Sequence, residues 1–249
     1  LQKSIDDAVT LTEIEDIYRP FRPKRKTRAS VAIAAGLQPL ADQILAQNND
    51  NLLALAKPFV APDKGINNEE EALAGASDIL AEMVADDPTA RKKLRELYWP
   101  RAFISCEWKE DKDEKKVYEN YKDFHQIIKE IPAHRILAFN RGEKEGALKV
   151  DMLLNRDGYT RVFDALLGQF CKHGHKDVMP EFDDQSKIKV PKKVVFGTMT
   201  AKQLVAYAVL DGYTRLLAPS LERELRNELT EKADEQSIKM FELNLKPLL

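Results

Sequence analysis

A chain of 249 residues has room for one large or two medium domains and can bury a substantial core. Its 39 Lys plus Arg nearly cancel its 41 Asp plus Glu, which argues against strong nucleic-acid binding through net charge alone. No apolar run reaches the ~18 residues of a membrane span, and two cysteines, Cys106 and Cys171, cannot form a disulfide framework; both facts fit a reducing, cytoplasmic setting.

The chain opens LQKSIDDAV, without an initiator Met or a signal pattern, and it stops inside a helical pattern at Leu249, so it reads as an excised piece of a longer protein. Few glycines and few β-branched runs favour helix. Thr10–Glu13 (TLTE) and Thr12–Glu15 both fit a capping box, which predicts a short helix running to Tyr18. Pro20 and Pro23 then call for extended backbone, because a residue before proline avoids the helical region. Thr27 is placed to cap a helix over 28–35 that stops at Gly36, and another follows over 38–46 with Pro39 in its first turn. Asn67 or Asn68 caps a helix over 69–84 whose EEE start suits the helix dipole. Asp87-Pro88 opens the next, carrying Leu94, Leu97 and Tyr98.

WKEDKDEKK, 108–116, reads as a solvated run of mixed charge. Val117, Tyr121, Phe124 and Ile128 have the spacing of an amphipathic helix ending near Pro132. Two apolar runs around GEKEG predict a β-hairpin over about 134–154, the one sheet element expected. Beyond it come a helix near 158–170, a long polar loop to about 190, and a helix capped by Thr200 with Gln203. DGYTR occurs at 157–161 and again at 211–215, but its flanks differ and it reads as coincidence. The last helix, from Ser220, repeats Leu221, Leu225, Leu229 and Ala233, with Glu-first pairs Glu222/Arg226, Glu228/Lys232 and Glu235/Lys239. Over 220–245 it extends about 40 Å, the length of a spine between domains.

Three blocks carry a resemblance: TLTEIEDIYRPFRPKRKTRA (10–29), PAHRILAFNRGEKEGALKV (132–150) and the final YTRLLAPSLERELRNELTEKADEQSIKMFELNLKPLL (213–249). Together, and in this order, they resemble the bacterial Tex family of transcription accessory proteins, related to a eukaryotic transcription elongation factor. Residues 106–120 and 151–212 match less closely. The resemblance implies a mostly helical region, followed in the family by a ribonuclease-H-like (YqgF-type) domain, helix-hairpin-helix elements and an OB-fold that binds RNA. On that basis the chain is the helical region, and the modules most clearly built to hold nucleic acid lie outside it.

The stretch YRPFRPKRKTRAS, 18–30, gathers Arg19, Arg22, Lys24, Arg25, Lys26 and Arg28 around Tyr18 and Phe21. These side chains can neutralise phosphates and stack on unpaired bases. The competing reading is a proline-stiffened turn whose cations pair with Glu13, Glu15 and Asp16 and whose aromatics anchor it to the core. Cys171, His173, His175 and Asp177 are zinc-type ligands, but alternate spacing in one loop rarely closes a tetrahedron, so a plain loop is expected and no metal is assigned. No P-loop, nucleophile elbow or HExxH is present, and Glu143 and Glu145 read as solvated turn carboxylates rather than an acid/base pair.

The expectation is therefore a mainly α, multihelical fold, with a helical subdomain over 1–132 and a second over 133–249 that holds the hairpin and the spine helix. The expected role is a non-enzymatic scaffold in a Tex-like protein that binds RNA or DNA mostly through modules outside this chain. Its partners would be nucleic acid and the transcription machinery, with no cofactor, membrane or small-molecule substrate. The alternative is a protein-interaction module with no nucleic-acid contact of its own.

Overall fold

The computed structural model describes residues 5, 6, 8, 11–22, 26–49, 51–183, 188–191 and 194–245. In chain order the helices are α1 (Leu11–Tyr18), α2 (Arg28–Ala34), α3 (Gln38–Ala46), α4 (Leu52–Ala56), α5 (Glu69–Asp86) and α6 (Pro88–Tyr98). Strands β1 (Phe103–Trp108) and β2 (His125–Ile127) follow, then α7 (Ala133–Lys144), β3 (Leu148–Leu153), α8 (Arg156–Phe170), α9 (Ala201–Asp211) and α10 (Ala218–Leu245). The fold is mainly α with one small antiparallel sheet and a long last helix, as the sequence implied. No single helix among the described residues is long and apolar enough to cross a membrane.

The backbone falls into two compact units, Leu1–Leu94 with Thr160–Pro219, and Arg95–Tyr159 with Ser220–Leu249. This departs from the expected division at 1–132 and 133–249. Each unit is assembled from two separated stretches, which local sequence pattern cannot reveal.

In the first unit α5 is the central element. Asn68 accepts the Glu71 backbone N–H at 2.9 Å, and the Glu71 carboxylate accepts the Asn67 N–H at 2.8 Å, so the helix start is closed from both sides. Ala72, Leu73, Ala76, Ile79, Leu80 and Val84 form its buried face. Helices α2, α3 and α9 pack on it, and Leu37, Leu40, Ala41 and Ile44 contribute fully buried side chains. Thr27 and Thr200 cap their helices as expected, and each closes a capping box, with Ser30 and Gln203. Between α9 and α10 the backbone forms a π-helical turn, Gly212–Leu217. Gly212 is required there, since a Cβ would lie 2.5 Å from the Ala81 carbonyl oxygen. The two DGYTR strings take different structures: one opens α8 and the other forms this π turn.

The second unit contains the sheet, ordered β2-β1-β3 and antiparallel throughout, with Ile104 opposite Met152 and Cys106 opposite Val150. Ile104, Cys106, Leu148, Val150 and Met152 are buried, in strict alternation along each strand. The outer edge of β3 is closed by side chains. Glu143 accepts the Val150 N–H and Glu222 accepts the Met152 N–H, both at 3.3 Å, while Arg226 donates to the Val150 carbonyl at 3.4 Å. These bonds occupy groups that would otherwise template another strand. Burial pushes the Glu222 carboxyl above its ordinary pKa, against the bond from Met152 and the charge of Arg226. Arg226 pairs with Glu143 rather than with Glu222, its sequence neighbour of favourable spacing.

Two expectations on this unit are corrected. The 134–154 hairpin is half right: 148–153 is a strand, but its first arm is helix α7 and its partner is β1. Ile136, Phe139 and Gly142 are the buried positions of α7, spaced three apart as on one helix face. Gly142 looked like turn punctuation. It is a packing glycine, because a Cβ there would meet Leu148 Cδ1 at 2.6 Å and Tyr118 Cδ1 at 3.1 Å. The true turn is at Gly146, whose φ is +76°. The helix expected over 117–128 is replaced by 3-10 turns and β2. Asp113, the residue that follows the Glu110–Lys112 turn, accepts the backbone N–H groups of Val117 and Tyr118.

Candidate nucleic-acid interface

The basic connector lies in the first unit. Helix α1 continues directly into a 3-10 turn, Arg19–Phe21, and the chain is extended at Arg22, the residue before Pro23, with φ −68° and ψ 133°. Extended backbone was expected before both prolines; Pro20 instead sits inside the turn, where its missing N–H leaves no hydrogen bond unmade. The turn is tied down by an ion pair, Arg19 Nε to Asp86 Oδ1 at 3.1 Å.

Of the three carboxylates expected to neutralise the connector, Asp16 and Glu13 pair with residues of α6, and Glu15 is exposed. Asp16 is buried and pairs with Arg91, itself fully buried, at 2.7 Å. Arg91 also donates to the Ala85 carbonyl at 3.3 Å. Glu13 pairs with Lys92 at 2.8 Å. Helix α6 thus takes up the acidic face of α1, and Arg22, Lys26 and Arg28 are left exposed with no ion pair among the described residues. Arg28 does contribute electrostatically nearby. Burial raises the pKa of Asp78, and the charges of Arg215 and then Arg28 oppose that rise. Lys24 and Arg25 lie outside the described residues.

The two aromatics are not core anchors. Tyr18 is 54% exposed and Phe21 is 60% exposed, on either side of Arg19 and Pro20. Large rings held this open on one short turn are unusual in a chain with a full core elsewhere. The arrangement can offer flat apolar faces and positive charge to a ligand that has both rings and anionic groups.

The second candidate disperses. Cys171 is buried and its thiol is pushed up to about 11 by burial. His175 contacts Asp164 at 2.8 Å, and Asp177 pairs with Lys202 at 2.7 Å. His173 has φ +59° beside Gly174 at +85°, a tight turn that directs successive side chains apart. Among the described residues no group of three or more His, Cys, Asp or Glu could hold a metal ion. Of the other carboxylates, Glu143 serves the β3 edge and Glu145 accepts the Tyr118 hydroxyl at 2.8 Å. Sequence reasoning missed a groove of about 440 Å³ in the first unit, lined by Phe163, Met179, Pro180, Met199, Tyr207 and Leu210. Its walls come from a loop and two helices far apart in sequence, so no local signal marks it.

Comparison with known proteins places the chain. The family described as Tex central region-like matches residues 47–241. The whole chain aligns with YdcI of Bacillus subtilis at 38% identity, covering 31% of that protein. It aligns along its whole length with the transcriptional accessory protein Tex of Neisseria gonorrhoeae at 32% identity, covering 30% of it. It also aligns with the human S1 RNA-binding domain-containing protein 1 at 28% identity, covering 24% of it. The chain therefore spans less than a third of the length of these relatives. A family match over most of its residues makes it a member of the Tex family, of which it represents the central region.

Proposed function

We infer that this chain is a helical scaffold within a transcription accessory protein that works on nucleic acid, in the cytoplasm and without a catalytic centre of its own in this region. The observation that carries the reading is the long helix α10, Ala218–Leu245, whose stripe Leu221, Leu225, Leu229 and Ala233 is buried. At 1.5 Å per residue α10 alone extends about 42 Å, a rigid element suited to holding modules in fixed positions. The names of the Neisseria and human relatives, with transcription in one and an S1 RNA-binding domain in the other, support nucleic acid as the ligand of the whole protein.

The test is ultraviolet cross-linking of the full-length protein in growing cells, followed by sequencing of the bound nucleic acid. Enrichment of transcripts over an unrelated tagged protein is the expected outcome. Recovery at background level would overturn the reading. A protein-docking role has its own support in the exposed Ile238, Met240, Phe241 and Leu243 at the end of α10. It predicts that charged substitutions there release a protein partner and leave cross-linking to nucleic acid unchanged.

A further inference from the structure

We propose that the groove of about 440 Å³ in the first unit is a docking site for an extended, uncharged apolar segment of a protein partner, whose backbone carbonyls accept hydrogen bonds from Gln203 and Tyr207 of α9. This assignment does not depend on the nucleic-acid reading of the whole protein. Three observations converge on it.

The first is a preformed wall. Helix α9 gives the groove Gln203, Ala206, Tyr207 and Leu210, four positions of one helical face, and α8 adds Phe163 and Leu167. The loop wall is fixed before any ligand arrives. Lys202 pairs with Asp177 at 2.7 Å, and the Lys189 N–H donates to the Glu181 carbonyl at 2.9 Å. Glu70 accepts the N–H groups of Phe196 at 2.9 Å and Gly197 at 2.7 Å, just ahead of Met199. Little ordering entropy then opposes binding. The second is charge complementarity. The charged side chains that line the groove are Asp177, Glu181 and Lys189, and each is paired, Asp177 with Lys202 and Glu181 with Lys189 at 3.5 Å. A charge on the occupant would leave water and meet no spare counter-ion in the lining, so the lining selects an uncharged stretch. The third is a pair of unused donors. Gln203 Oε1 accepts the Thr200 N–H at 2.9 Å, and its Nε2 has no hydrogen-bond partner among the described residues. The Tyr207 hydroxyl, one turn along α9, has none among them either. Burial, then the charges of Asp211 and Asp78, push its phenol pKa up, so it stays a donor.

The chemistry selects an extended segment over a helix. A helix bonds its own carbonyls internally and offers these donors nothing, whereas the carbonyls of an extended segment are free. Side chains four apart on α9 lie about 5–6 Å apart at Cβ. Carbonyls on one side of an extended chain recur every second residue, at about 6.5–7 Å, a spacing that two flexible donors one turn apart can meet. The apolar side chains of such a segment would rest on Met179 and Met199, whose unbranched thioethers adapt to varied shapes.

The experiment pans a displayed library of short random peptides on this 249-residue chain and measures the enriched peptides by fluorescence anisotropy. The expected peptides share an uncharged apolar run and show an extended backbone in transferred nuclear Overhauser spectra. Tyr207→Phe removes one donor and weakens their binding about two- to tenfold, the worth of one hydrogen bond. Val190→Asp puts an unpaired charge in the lining and weakens it by more than about tenfold. Val190 is 44% exposed, so the melting temperature of that variant stays at the wild-type value and a loss of binding reports the groove. Peptides that bind as helices, peptides indifferent to both substitutions, or a library with no enriched sequence each overturn the assignment. In the last case the uncharged dye Nile red identifies the replacement: dye binding that Val190→Asp abolishes gives the groove to a small apolar molecule, and no dye binding leaves no site there. Failure here keeps the scaffold reading, which is judged by cross-linking of the full-length protein, and failure of cross-linking keeps this site.

Discussion

Two charge-rich stretches of this chain, 18–28 and 107–119, put their charges to opposite ends. In the first, Arg22, Lys26 and Arg28 are exposed without an ion pair among the described residues, and Tyr18 and Phe21 are exposed. In the second, Asp113 is buried and accepts the Trp108 indole N–H at 3.0 Å, the Val117 N–H at 2.9 Å and the Tyr118 N–H at 2.7 Å. Lys116 lies between Glu110 and Glu119 at 3.9 and 3.8 Å. Tyr118, buried and bonded to Glu145, has its phenol pushed up to about 12 by burial. One stretch is neutralised from within and becomes structure. The other loses Asp16 and Glu13 to a neighbouring helix and remains a surface. The difference begins in composition, since 18–28 carries cations and no acid whereas 107–119 carries both signs, and tertiary partners complete it.

The comparison is broken most severely at Arg91. Replacing it with Met leaves Asp16 buried without its ion pair, and loss of one partner of a buried pair costs about 3–5 kcal/mol in denaturant unfolding. If Arg91→Met unfolds at the wild-type denaturant midpoint, the buried pair is not what holds α1 to α6.

Next comes Gly142→Ala. The new methyl would press on Leu148 and Tyr118, and overpacking of this kind typically costs about 1–3 kcal/mol. The expected readout is a lower melting temperature together with faster hydrogen exchange at Val117 and Tyr118, since Tyr118 anchors the second stretch.

Asp113 gives a pH test of the same stretch. Burial works to raise its pKa, but the N–H groups of Tyr118, the Trp108 indole and Val117 outweigh this and hold it below the ordinary carboxylate value. A depressed folded pKa contributes stability above the unfolded value of about 3.9 and loses it as pH falls through the folded value. Wild type should therefore lose stability below about pH 4 more steeply than Asp113→Asn, which starts lower at neutral pH. Parallel acid limbs for the two proteins would show that the carboxylate is not the organiser.

The smallest effect is expected at Lys116, which is exposed, has φ +51° and makes only long ion pairs. Lys116→Gly relieves the left-handed backbone and gives up little charge energy, for a net change within about 1 kcal/mol. A loss well beyond that in thermal unfolding would mean that the lysine, and not Asp113, holds the loop.

The first unit was legible because its signals are local. Thr27 with Ser30, Asn68 with Glu71 and Thr200 with Gln203 each cap a helix within four residues of sequence. The second unit was less so. β1 pairs with β3 across more than forty residues, and nothing in HRILAFNRG announces that Gly142 serves helix–strand packing. A usable signal did exist in FISCEW, where buried Ile104 and Cys106 alternate with less buried neighbours. At the candidate site the sequence identified the cations and rings but not their accessibility. That depended on Arg91 and Lys92, more than seventy residues from the carboxylates they occupy.

The repeat in α10 has one further consequence. Residues four apart advance about 400° around an α-helix, so a seam of every fourth residue drifts by about 40° per step. From Leu221 to Ala233 the seam winds by about 120°, and the polar contacts beside it wind in parallel. Glu222 meets β3, Arg226 meets both β3 and Glu143 of α7, Thr230 bonds Asn140 of α7, and Lys232 lies over the Trp99 ring. Neighbours are met in rotation along the shaft, like steps on a spiral stair. Inserting one residue near Leu225 would turn every later step by about 100° and present each to the wrong neighbour.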